Sequence, residues 1–193
     1  MLRYSLLILV VACAVPVRAQ DNPLSKEAKS DYTIVKNLVI RAAEKVPEAG
    51  YSFKPTPEVR SFGQLIGHIT DDQYRYCAAV RGENKTSQFE KAPPPKAEMV
   101  VALKFAFAYC DTAYEGLVDA SATEKVVFLG RTIPKLSVFT LHAGHAWEHY
   151  GNAVVYMRLQ GIVPPSSEKA AKQSLTTPSA APLARTSSHE EVV

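Results

Sequence analysis

Leu141-His142-Ala143-Gly144-His145-Ala146-Trp147-Glu148-His149-Tyr150-Gly151-Asn152 places three of the chain's five histidines within eight residues. Residues three and four apart share one face of an α-helix, so this spacing predicts a helix with imidazoles one turn apart. The segment around it runs from Pro134 to Leu159 and closes at Gln160-Gly161 before Pro164-Pro165, a glycine stop followed by prolines. Its apolar stripe reads as Leu141, His145, His149, Asn152, Val155 or Tyr156, and Leu159. His145 and His149 thus face a core, and a long helix with one such face needs partners to cover it.

Three earlier segments supply them. The first opens at Asn22-Pro23, with proline at the first helical position, and carries Tyr32, Val35, Leu38, Val39, Ala42 and Val46 at helical spacing. The second begins with Ser61-Phe62-Gly63-Gln64, a capping-box pattern, and its stripe of Leu65, Ile69, Tyr76 and Val80 includes His68 and Asp72. A polar, proline-rich connector follows Arg81-Gly82. The third runs from Ala97 to Val118 with Met99, Leu103, Phe107, Cys110, Tyr114 and Leu117 on one side. Val126 to Leu129 reads as at most a short extended piece, without a sheet. Four helices with one apolar face each predict an all-α, four-helix bundle over residues 22–165.

The ends read differently. Met1-Leu2-Arg3-Tyr4 precedes the apolar run Ser5 to Ala12, and Val17-Arg18-Ala19 offers a small-residue exit, so residues 1–19 read as a secretory signal peptide. The run is shorter than the ~20 residues a membrane-spanning helix needs. This predicts a periplasmic or secreted protein. The alternative is a lipoprotein cleaved before Cys13, which would touch the membrane through that lipid alone. Residues 166–193 are rich in Ser, Ala, Thr and Pro and read as a disordered tail. The net charge of +3 includes Arg3 and Arg18, and without them the chain is within one charge of balance, which leaves no electrostatic case for nucleic acid. Cys77 and Cys110 lie on apolar stripes and read as buried thiols, with a disulfide the less favoured reading.

The chemistry converges on histidine. Neutral imidazole binds zinc and other late first-row metals, and catalytic sites use three protein ligands with one position left for water or substrate. His68, His145 and His149 supply such a set, against the plainer reading of histidines hydrogen-bonded in a core. His142 is either a supporting group or a surface residue. Glu148 directly precedes His149, and no His-Glu-x-x-His order exists, which argues against a zinc protease. Asp72 reads as a group orienting an imidazole or, with Asp71, as a solvated pair. Trp147 and Tyr150 read as packing residues or pocket walls, and Arg158 as a partner of the helix dipole or of an anionic substrate.

Three features together resemble the DinB-like family of metal-binding four-helix bundles. They are Ser61-Phe62-Gly63-Gln64-Leu65-Ile66-Gly67-His68-Ile69, the His145-x-x-x-His149 pair followed by Tyr150-Gly151-Asn152, and the ending Tyr156-Met157-Arg158-Leu159-Gln160-Gly161-Ile162-Val163-Pro164-Pro165. The resemblance spans Leu24 to Ser166. It implies one divalent metal ion, zinc or nickel, with ligands on His68, His145 and His149, and gives His142 no role. Many members carry His-His-Arg-Gly-Gln at the third ligand, where this chain has Glu148-His149-Tyr150-Gly151-Asn152. The family's thiol-dependent transferases and isomerases imply a metal-dependent hydrolase or thiol-type transferase acting on a small-molecule substrate, with pairing into a homodimer through an exposed helix face. The alternative is a non-catalytic periplasmic protein that binds metal or a small ligand.

Overall fold

In a computed structural model that describes residues 21–168, four α-helices form the body: α1 (Pro23–Lys45), α2 (Phe62–Arg81), α3 (Lys96–Glu115) and α4 (Lys135–Leu159). The expected leader, with Cys13, and the tail beyond Glu168 lie outside the described residues. Among the described residues no helix is long and apolar enough to cross a membrane.

Local chemistry sets where the helices begin. Ser61 Oγ accepts from Gln64 N at 3.2 Å while Gln64 Oε1 accepts from Ser61 N at 2.9 Å, the reciprocal cap that the sequence predicts for α2. The start of α1 is held from a distance: Asp119 accepts from Leu24 N at 3.1 Å and from Ser25 N at 2.8 Å, and Asn22 Oδ1 accepts from Asp119 N at 2.9 Å. Those otherwise unpaired amides tie the first helix to the turn after α3.

Each helix leans chiefly on two others, α1 on α3 and α4, and α2 on α3 and α4. Between them lie Tyr32, Val35, Val39, Phe62, Ile66, Ile69, Met99, Leu103, Phe107 and Met157, all nearly free of solvent. Burial contributes roughly 1.5–3 kcal/mol for each large apolar side chain, which orders the bundle. The buried face of α4 is rotated from the one expected. Leu141, Val155 and Leu159 are exposed, and His142, Ala143, Ala146, His149, Tyr150, Ala153, Tyr156 and Met157 are buried. Alanines line this face because α4 sits against α1 and α2 together, and small side chains let both approach.

Two expectations are corrected. Lys125–Phe128 and Arg131–Pro134 form an antiparallel hairpin, β1 and β2, where the sequence reading allowed no sheet. Its two-residue turn puts Leu129 at φ 48° and Gly130 at φ 74°, the left-handed pair that matches strand twist. The hairpin forms because Phe128 is buried against Tyr76 of α2, with ring centroids 4.6 Å apart. Cys77 and Cys110 form a disulfide between α2 and α3 rather than remaining free thiols; their Cα atoms are 5.4 Å apart, within the span a disulfide bridges. The docked chain also continues past Pro165: Ser166 N donates to Tyr150 Oη at 3.0 Å, and Glu168 pairs with Arg41 and with Lys45 on α1.

Candidate metal centre

Helix α2 projects His68 and, one turn on, Asp72 toward α4, which presents His145 and His149. Ligand atoms of these four residues all lie within 4.8 Å of one another. The three histidines singled out in the sequence therefore meet across the bundle, and Asp72, only 3% exposed, joins them. His145 Nε2 and His149 Nε2 face each other at 2.9 Å. Asp72 Oδ2 lies 3.1 Å from His68 Nε2 and 2.9 Å from His145 Nδ1 but is buried without a directional hydrogen bond.

The imidazoles are braced on their far sides. His68 Nδ1 is 2.7 Å from Glu90 Oε2, and Glu90 Oε1 in turn accepts from Arg60 Nε at 2.7 Å. His145 has Asp72 at Nδ1, and His149 Nδ1 stands 3.4 Å from the Asn152 amide nitrogen. Each ring so held turns Nε2 toward the common centre, the arrangement by which outer groups orient metal-binding histidines. Asp72 is a buried member of the site rather than half of a solvated pair, and its Oδ1 is held by Arg75. Asp71 does separate work: its carboxylate accepts from Ser87 Oγ at 2.6 Å, Phe89 N at 2.9 Å and Glu90 N at 3.0 Å, and so fixes the connector that delivers Glu90.

Electrostatics keep the donors available. Burial lowers His149 from 6.5 to about 4, helped by the neighbouring His145 and His68, so its ring is neutral at physiological pH. Burial alone would raise the Asp72 carboxyl, but His145, His68 and Arg75 outweigh it and hold the group below its ordinary value. Burial likewise opposes ionisation of Glu90, and Arg60 and His68 more than offset it. A neutral His149 ring beside the ionised Asp72 carboxylate offers a divalent cation the donors it needs. The buried Asp72 Oδ2, set between His68 and His145 without a directional hydrogen bond, and the facing imidazole nitrogens fit such an ion.

A cleft of about 340 Å³ opens beside His68 and Asp72, lined also by Arg75, Ser87, Glu90 and Lys91. A larger groove of about 870 Å³, between Tyr74, Phe89, Val101 and Phe105, includes none of the four clustered residues.

The remaining candidates fall elsewhere. His142 is neither on the surface nor in the cluster: it is 1% exposed in the core, between Tyr114 of α3 and Gln73 of α2. Glu148 is exposed on the outer flank of α4. Trp147 and Tyr150 pack together at 6.1 Å between ring centroids, and Arg158 donates to Ser167 Oγ at 3.2 Å. Glu90 was missed in the sequence, because a glutamate in a polar, proline-rich connector carries no periodicity to mark it.

Comparison with known proteins agrees with this architecture. A protein from Bacillus subtilis, YjoA, is 22% identical over 140 residues, covering 71% of this chain and 91% of YjoA. A DinB-like crystal structure from Bacillus cereus superposes with a TM-score of 0.65 at 16% identity, over 72% of this chain and 95% of that one. The fold is also shared with a mycothiol-dependent maleylpyruvate isomerase, at a TM-score of 0.55 and 16% identity, over 65% of this chain and 59% of the isomerase. The model of the DinB superfamily matches residues 32–153, a span that runs from α1 into α4 and includes both helices of the histidine cluster, and the chain belongs to that superfamily.

Proposed function

We propose that this protein holds one divalent metal ion, zinc or nickel, through His68, His145 and His149, and that it acts as a metal-dependent hydrolase or thiol-type transferase on a small molecule. The observation that carries the reading is the convergence of three braced imidazoles on one point between α2 and α4. Bound there, the ion would supply Lewis-acid activation of a water or a thiol. Glu90 and Asp72 hold His68 and His145 in the ligating orientation, and the cleft beside His68 admits a small polar substrate while the bundle shields the other side. That open side favours catalysis over simple storage of metal, because a closed structural site would present no entry.

The leader-like residues 1–19 support a location outside the cytoplasm, and the Cys77–Cys110 disulfide supports an oxidising compartment.

The test is metal content by mass spectrometry on tag-free protein, wild type against His145→Ala and His68→Ala. Near one zinc or nickel per chain in wild type, lost in both variants, is expected, with a thermal stabilisation of about 2.7 kcal/mol at a hundredfold excess of metal over Kd. Metal retained in His68→Ala would overturn the cross-bundle site. Hydrolase and thiol-transfer screens of the loaded protein then divide the two activities.

A further inference from the structure

We propose that Gln73 and His142 are positioning residues that lock the register of α2 against α4 and so bring the ligands of the two helices together. The inference rests on the metal reading above. Gln73 directly follows Asp72, and His142 precedes His145 by one turn, so the pair bridges the two helices beside the ligands they carry. Both are 1% exposed. Gln73 Nε2 donates to Ile69 O within α2 at 3.2 Å, which turns Oε1 toward α4, where His142 Nε2 lies 3.0 Å away. That nitrogen must therefore donate, which leaves Nδ1 as the acceptor facing the Tyr114 hydroxyl at 3.0 Å. Tyr114 Oη also lies 3.2 Å from Phe139 O, so α3 grips the same turn of α4.

Register is the property at stake. The buried α4 face beside the site includes Ala143, Ala146 and Ala153, small side chains that add little interlocking of their own against a slide. Moving one helix by a single residue shifts its ligands by about 1.5 Å. Metal sites tolerate only about 0.2 Å in ligand distance. A slide would also leave the buried Gln73 carbonyl and His142 N–H without partners, since no solvent reaches them. On the opposite side of Gln73, the sulfur of Cys110, bridged to Cys77, packs against Gln73 O at 3.2 Å without a proton to donate.

The test compares zinc affinity, by competition with a chromophoric chelator, and the visible spectrum of the cobalt-loaded protein in wild type, Gln73→Leu, His142→Leu and the double variant. Urea unfolding of each metal-free protein runs alongside. Val35→Ala, which opens a cavity in the α1 core, serves as the destabilised control. About a tenfold or greater loss of zinc affinity is expected in each single variant. The double variant should lose little more, the cobalt spectrum should change, and His142→Gln, which keeps an N–H for Gln73, should recover most of the affinity. Val35→Ala should bind zinc as wild type does. Unchanged affinity in both leucine variants, or an equal loss in Val35→Ala, would overturn the inference. Wild-type protein that binds neither zinc nor cobalt would instead reject the metal reading itself, and the inference with it.

Discussion

Glu90 Oε2 stands 2.7 Å from His68 Nδ1 although the two residues are 22 positions apart and Glu90 belongs to no helix. The carboxylate reaches the imidazole because Asp71 accepts from the backbone amides of Phe89 and Glu90 and folds the connector onto α2.

Removing that carboxylate should weaken metal binding without unfolding the bundle. Glu90→Ala is expected to cost about ten- to a hundredfold in zinc affinity, the usual effect of losing the outer partner of a ligating histidine. Chelator competition measures it. An affinity equal to wild type would mean that His68 is oriented by other contacts.

Gly67 should tolerate no side chain. A Cβ built there would stand 2.5 Å from Phe89 O and 2.8 Å from Glu90 N, both backbone atoms that cannot swing aside. Gly67→Ala is expected to push the connector off α2, with a loss of about 1–3 kcal/mol from overpacking and a weaker metal site, since Glu90 moves with the connector. Urea midpoints and zinc titration report the two effects separately.

The disulfide should carry a measurable share of stability. Cys77 and Cys110 are 33 residues apart, and a crosslink of that span contributes about 2–4 kcal/mol by restricting the unfolded chain. Unfolding with and without reductant tests this, and Cys77→Ala with Cys110→Ala should respond to reductant no further. Equal midpoints in both conditions would show the bridge to be without thermodynamic weight.

Acid should destabilise the metal-free protein through its buried imidazoles. Burial lowers His142 from 6.5 to about 3 and, with neighbouring histidines, lowers His149 from 6.5 to about 4. The unfolded chain binds these protons more readily, so stability is complete above pH 6.5 and falls as the pH drops toward 4 and then 3. The lowered Asp72 acts in the same direction at the acid end of this range, because protonation removes its contacts with His145 and His68. For His142 the full loss is on the order of 5 kcal/mol. Urea midpoints at successive pH values trace the curve, and a flat profile would show that His142 is not held neutral.

Much of this was legible in the residues. The Ser61 and Gln64 cap, the proline at the start of α1 and the glycine after α4 mark helix ends through backbone chemistry that acts within a few residues, and all appear where expected. The disulfide and the hairpin were not legible, because each depends on what a distant segment places opposite it. The rotation of the α4 face escaped for a related reason. Alanines carry little hydropathy, so a stripe traced through Leu141, Val155 and Leu159 follows the residues left exposed beside the two-sided packing surface.

The sequence by itself determined a four-helix bundle and the three histidines that gather in it, because helical periodicity and capping are local and a single apolar face per helix has few ways to be buried. Only the tertiary structure decided that Asp72 joins the cluster, that Glu90 braces His68, and that His142 spans the core to Gln73 and Tyr114. Those relationships depend on distances of about 3 Å between side chains on different elements, and such distances are set by helix rotation and register once the whole core has packed.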